Sequence, residues 1–329
     1  MTPLADYLLF LAKATTVVAA VLLVAGAIAS LSWRGRGEPP TRERLRVRRL
    51  NRHFEDLQRA LERHLLPRRA FRRRLRDLKR LRRVEQRGDG AGRRRLFVLE
   101  FRGDLRASAV EGLREEVTAV LTVARDGDEV LVRLDSAGGL VPAYGLAASQ
   151  LVRLKDRGLV LIVAVDRVAA SGGYMMACVA DHILASPFAV VGSIGVVAQL
   201  PNFNRMLKRH EVDYELFTAG EFKRTVTLFG ENTDKGRAKL QEEIEDAHAL
   251  FKEFVGRHRP TVDLQRVATG EYWFASRALE LKLVDEIRTS DDYLLAARDG
   301  AELIEVKCTP RRGLLGRFVA DAASALRRG

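Results

Sequence analysis

Val165-Asp-Arg-Val-Ala-Ala-Ser-Gly-Gly-Tyr-Met-Met-Ala-Cys-Val-Ala-Asp-His182 is the stretch on which the fold turns. The apolar run that leads into it, residues 159–165, reads as a buried strand, and residues 172–180 read as an apolar helix. Ser171 stands at the joint. A serine there lies beside the free N–H groups of a helix start, which favour negative charge developing on a substrate oxygen. The same position also suits a plain helix cap. Gly172 and Gly173 allow a second backbone to come close. Ser-Gly-Gly by itself does not separate a nucleophile from a cap, so a base and an oxyanion partner have to come from elsewhere in the chain.

On either side of this stretch, apolar strands alternate with helices. Residues 96–101 and 129–134 read as strands, and residues 107–124 and 141–155 as helices. Residues 183–185 and 189–191 supply further strand material, and a long helix spans about 234–255. The alternation predicts an α/β domain with a mostly parallel sheet. The second strand ends in Asp135-Ser-Ala-Gly-Gly139. In open α/β sheets ligands gather beyond the carboxyl ends of the strands, which places the Gly138-Gly139 turn and Ser171 in one crevice. The turn would offer N–H groups where Ser171 needs an oxyanion partner, although a Gly-Gly pair is also an ordinary turn.

With 47% apolar residues in 329 the chain has ample material for a core, and disorder is excluded. The formal charge of +13 suggests a polyanionic partner until it is located. Residues 34–95 carry 24 Lys and Arg against 8 Asp and Glu, which leaves the remainder at −3. The basic balance belongs to one segment, and a nucleic-acid partner for the main domain loses its main support. That segment has helical apolar spacing at Leu50, Phe54, Leu57, Leu61 and Leu65, a break at Pro67, then Phe71, Leu75, Leu78 and Leu81. Beside a membrane, such a basic amphipathic helix is expected to lie on an anionic membrane surface, with nucleic acid as the alternative partner.

A membrane is expected because residues 14–33 are twenty consecutive uncharged residues, enough to span the hydrocarbon core as a helix. A cleaved signal peptide is the alternative, with Ala27-Ile-Ala29 as its A-x-A site. The arginines after the span would place the segment that carries them in the cytoplasm. The expected organisation is a transmembrane anchor over 1–33, a basic helical linker over 34–92, an α/β domain over 93–292, and a tail over 293–329 with a second basic amphipathic segment at 311–328. Two cysteines, Cys178 and Cys308, are too few for a disulfide framework or a structural zinc site.

A serine needs a base to act as nucleophile. His182 beside Asp181 is one candidate, but eleven residues of helix and turn carry it away from Ser171. His210, His248 and His258 lie in charged or helical contexts that suit solvated histidines. Lys223, in Thr218-Ala-Gly-Glu-Phe-Lys-Arg224, is another candidate, and spacing alone does not separate it from a surface lysine.

Asp135-Ser-Ala-Gly-Gly139, Val168-Ala-Ala-Ser-Gly-Gly-Tyr174, Val191-Gly-Ser-Ile-Gly-Val196, Thr218-Ala-Gly-Glu-Phe-Lys-Arg224 and Ala278-Leu-Glu-Leu-Lys-Leu-Val-Asp285 occur in the order seen in the signal peptide peptidase A family, which this chain resembles over nearly its whole length. The resemblance implies a Clp protease/crotonase-like fold of repeated ββα units and a membrane-anchored serine endopeptidase with a Ser-Lys dyad, acting on remnant signal peptides or other membrane-proximal polypeptides. Ser171 resembles the nucleophile and Lys223 the general base. Ser193 resembles the serine that orients the lysine, and Gly138, Gly139 and Gly172 resemble the oxyanion donors. No metal or cofactor is implied. A homo-oligomer is, in some relatives with serine and lysine from neighbouring protomers, as is a single-pass location in the bacterial inner membrane. Two positions depart from the pattern: Ala137 stands where proline is usual, and Lys282 where glycine is. A crotonase-like acyl-CoA enzyme and a catalytically idle membrane scaffold are the alternative readings.

Overall fold

A computed structural model of the chain describes residues 44–87 and 94–309, together with Lys13, Thr15 and Thr16. The expected span at 14–33 and the basic segment at 311–328 lie outside the described residues, Thr15 and Thr16 excepted. Among the described residues no helix is long and apolar enough to cross a membrane.

The framework is a seven-stranded sheet made of β1 (Arg44–Arg49), β2 (Arg94–Arg102), β3 (Glu129–Asp135), β4 (Val160–Val165), β6 (His182–Ala185), β9 (Glu286–Ile287) and β10 (Ala301–Thr309). Its order is β1-β10-β2-β3-β4-β6-β9, and the pairs from β10 to β9 are parallel. A second sheet of three short strands, β5 (Val168–Ala170), β7 (Val190–Gly192) and β8 (Tyr272–Phe274), pairs β5 with β7 in parallel and β7 with β8 antiparallel.

The central strands are apolar on both faces, as a sheet covered on both sides requires. Phe97, Leu99, Val130, Val132, Leu161 and Val163 point into the larger core, beneath α3 (Val110–Val123), α4 (Val141–Asp156) and α5 (Gly172–Ala177). Leu96, Val98, Leu131, Ile162 and Leu184 point the other way and are met by Leu50, the first residue of α1 (Leu50–Leu65), and by Leu294 of α10 (Ser290–Ala297). Pro67 ends α1, since its ring removes a donor, and α2 (Arg68–Arg87) comes next. The remaining helices are α6 (Asn204–Arg209), α7 (Asp234–His258), α8 (Leu264–Val267) and α9 (Ala275–Glu280).

The sheet reaches past the expected domain limits at both ends. β10 lies beside β2, with Leu303 opposite Leu96, although residues 293–329 were expected as a peripheral tail. Leu303 and Val306 are buried, and the Cys308 N–H is held by the Glu116 carboxylate at 2.6 Å. β1 lies outside β10, in the segment expected to be helical linker; Arg49 pairs with Glu302 at 3.0 Å. Each addition covers an edge that would otherwise be left unpaired: β10 covers the second edge of β2, and β1 covers the outer edge of β10.

Candidate active site

β5 delivers Ser171 to the start of α5 with φ 51° and ψ −120°, a conformation that L-residues adopt only when their surroundings impose it. Three contacts do so. The Ser171 N–H donates to the Gly192 carbonyl at 2.8 Å, its own carbonyl accepts from Met175, and the Gly138 turn lies against it. A Cβ at Gly138, whose φ is +90°, would stand 2.8 Å from the Ser171 Cβ and 2.7 Å from the Gly172 nitrogen, so only glycine fits.

The turn is fixed from below by a buried hydroxyl pair. The Ser136 Oγ and the Tyr144 hydroxyl are 2.6 Å apart, Tyr144 donates to the Asp104 carbonyl at 2.7 Å, and the Gly138 N–H donates to the Ser136 Oγ at 3.1 Å. Burial raises the Tyr144 pKa, so the phenol stays protonated and able to donate. These bonds hold the turn in which Ala137 replaces the usual proline. Neither Ser136 nor Tyr144 was singled out from sequence.

Since the Gly138 N–H is engaged by Ser136, the donors left for an oxyanion are those of Gly139 and Gly172. Gly139 has no acceptor among the described residues, and Gly172, first in its helix, has no carbonyl one turn earlier to receive its N–H. Gly139, Ser171 and Gly172 line one narrow cavity with Val141, Met175, Gly195, Val196, Ala247 and Phe251, so its walls are mostly apolar. Ser193, two residues from Gly195, has φ 52°, and its N–H donates to the Glu271 carbonyl at 2.7 Å.

Lys223 is exposed, on a turn closed by its N–H to the Gly220 carbonyl, and it does not line the Ser171 cavity. Among the described residues no hydrogen bond joins it to Ser171. A broader cleft lined by Leu200, Arg205, Arg237 and Ile244 also excludes Ser171 and its glycines. His182 faces Glu286 across β6 and β9 at 3.2 Å, and His258 lies against Phe254 with ring centroids 4.6 Å apart and planes tilted by 57°. Cys178 is buried; desolvation raises its thiol pKa, which makes it inert.

Fold and site together define a mixed α/β protein built around a strained serine at a strand-to-helix turn. Two family models match it: Peptidase family S49 N-terminal over residues 2–151 and Peptidase family S49 over residues 153–304. The chain belongs to peptidase family S49, and within it to the SohB type. It is 56% identical over 227 residues to the probable protease SohB of Haemophilus influenzae, covering 69% of this chain and 64% of that one. It is 53% identical over 234 residues to the probable protease SohB of Buchnera aphidicola, covering 71% of this chain and 70% of the relative. The chain thus spans just under two thirds of the Haemophilus protein's length. A solved structure of a mutant 1510-N membrane-bound stomatin-specific protease with a substrate peptide matches at 11% identity and a TM-score of 0.43, over 71% of this chain and 99% of that one.

Proposed function

We propose that the chain is a serine endopeptidase in which Ser171 is the nucleophile, Lys223 the general base, and the Gly139 and Gly172 N–H groups the oxyanion site. The observation that carries this reading is the strained Ser171 backbone, held beside two unengaged N–H groups at the mouth of an apolar cavity. Strain of this kind costs about 1–3 kcal/mol, and it persists where a hydroxyl has to be presented. The Lys223 amine takes the Ser171 Oγ proton as Oγ attacks the peptide carbonyl carbon. The carbonyl oxygen becomes an oxyanion between the two N–H groups, and the ammonium returns the proton to the leaving amine. Water, deprotonated by the same lysine, then hydrolyses the acyl-enzyme.

A lysine serves as base only when its amine is neutral, which exclusion from water favours. Lys223 is exposed in the single chain, and so are Val197, Phe203, Phe217 and Phe222 in the segment between β7 and α7. We infer that a neighbouring copy covers this surface, so that the dyad forms between protomers. Val141, Met175, Ala247 and Phe251 give the cavity apolar walls, and it has to widen from about the size of one water before it takes an apolar side chain of an extended polypeptide. The uncharged run at 14–33 and the family resemblance support a substrate close to a membrane, such as a remnant signal peptide, and a single-pass location in the bacterial inner membrane.

The test is cleavage of an apolar fluorogenic peptide. Ser171→Ala and Lys223→Ala each abolish turnover, and mixing the two before assembly restores part of it, because some interfaces then hold an intact serine and lysine. Undiminished cleavage by either single variant would refute the dyad.

A further inference from the structure

Leu50, Phe54, Leu57, Leu61 and Leu65 form one apolar stripe along α1. It begins as core: Leu50 is buried against the sheet and Phe54 packs on the same cluster. It then emerges, Leu57 being 51% exposed, Leu61 66% and Leu65 77%. The helix is held at its base. Asn51 donates to the Arg298 and Ala301 carbonyls at 2.9 and 3.0 Å and accepts from the Leu303 N–H at 2.8 Å.

Next to the emergent leucines comes the densest positive charge in the chain. α2 has eleven Lys and Arg residues against Asp77 and Glu85. Arg74 reaches Glu62 of α1 at 3.7 Å, whereas Arg68, Arg69, Arg72, Arg73 and Arg76 are exposed and have no acidic partner among the described residues.

We propose that α1 and α2 are a docking surface for an anionic lipid bilayer, with Leu57, Leu61 and Leu65 entering the interface and the arginines resting on the headgroups. The choice of occupant rests on the pairing of the two features. A second copy laid on this face would set arginine against arginine. A nucleic acid would satisfy the arginines and leave three leucines in water. An anionic bilayer takes both. Since Leu50 and Asn51 fix α1 to the sheet, docking also sets how the sheet is turned toward the lipid. This inference does not depend on the peptidase reading.

The experiment uses the full chain with Cys308→Ser and a spin label on Leu61→Cys, an exposed position that tolerates substitution. Collision with oxygen and with a water-soluble nickel chelate is measured in vesicles of mixed phosphatidylglycerol and phosphatidylcholine, and in phosphatidylcholine alone. In anionic vesicles the label gains oxygen and loses nickel accessibility, whereas a label on Glu242→Cys does not change. Replacing Arg72 or Arg73 by Gln shifts the equilibrium back toward water by about fivefold per charge. Nickel accessibility that stays high in anionic vesicles overturns the proposal. So does protection without lipid accompanied by spin–spin broadening, which would mean a second copy, or protection that appears only with duplex DNA.

Discussion

Ser171 combines a strained backbone with a half-buried side chain that lines the cavity, and the two can be separated by substitution. Ser171→Gly relieves a positive φ that costs about 1–3 kcal/mol but adds glycine's entropy of about 0.5–1 kcal/mol. The expected outcome is an inactive chain more stable by about 1 kcal/mol in urea unfolding; Ser171→Ala, which keeps the strain, gains nothing. Tyr144→Phe removes the hydroxyl that ties Asp104 to Ser136 beneath the Gly138–Gly139 turn. It should lower kcat about ten- to hundredfold with KM nearly unchanged, because a small displacement of the donors harms the transition state more than binding. Ser171 and the glycines were legible in the sequence because each motif is contiguous and glycine is chemically singular. Ser136 and Tyr144 were not, since their hydroxyls meet only once α4 has packed across the end of β3, and nothing in their spacing announces a hydrogen bond.

At the scale of elements, α7 supplies Ala247 and Phe251 to the cavity wall, and its end is held by one buried ion pair. Arg259, which caps α7, donates to both Asp285 oxygens at 2.7 and 2.8 Å and to the Lys282 carbonyl at 2.7 Å. Burial alone would raise the Asp285 pKa, but the Arg259 hydrogen bond, the Ile183 N–H and the Arg259 charge outweigh it and hold the carboxyl below its ordinary range. The stability this provides is complete above the unfolded value near pH 4 and is lost as pH falls through the depressed folded value. Asp285→Asn should therefore cost about 3 kcal/mol at neutral pH by leaving Arg259 buried without its partner. The gap to wild type should close on acidification, as read from urea midpoints across a pH series.

Lys282, where the family usually has glycine, has φ 60° and ends α9 with Leu283 N–H donating to the Ala278 carbonyl, so the position is left-handed. Lys282→Gly should stabilise by about 0.5–1 kcal/mol without changing turnover. The alternating strands and helices from β2 to β6 were legible in their apolar runs. β10 was not: Ala-Glu-Leu-Ile-Glu-Val-Lys-Cys-Thr is short of the continuous apolar character of an interior strand, and only the partners on each side show its place. Of the three short strands, β7 (190–192) was read at residues 189–191, whereas β5 and β8 are three residues each, too brief for any periodicity to register.

Across the whole molecule, the sequence separates charge from chemistry. The basic surplus lies in residues 34–95, while the serine site lies under the opposite face of the sheet from α1. The place of the basic surplus in the chain was readable from charge counts alone, whereas the opposite faces of the sheet emerge only from the packing. In the single chain Lys223 is exposed, within a segment, residues 197–229, whose apolar side chains Val197, Phe203, Phe217 and Phe222 also face solvent. In the proposed reading Ser171 and the Gly139 and Gly172 N–H groups are preformed, and the base arrives only when copies assemble. The measurement that tests this most directly is peptide mapping after reaction of the assembled protein with a fluorophosphonate. The account predicts a single adduct on Ser171, formed at a rate that collapses in Lys223→Ala. An adduct on another residue, or unchanged labelling of the Ser171→Ala protein, would contradict it.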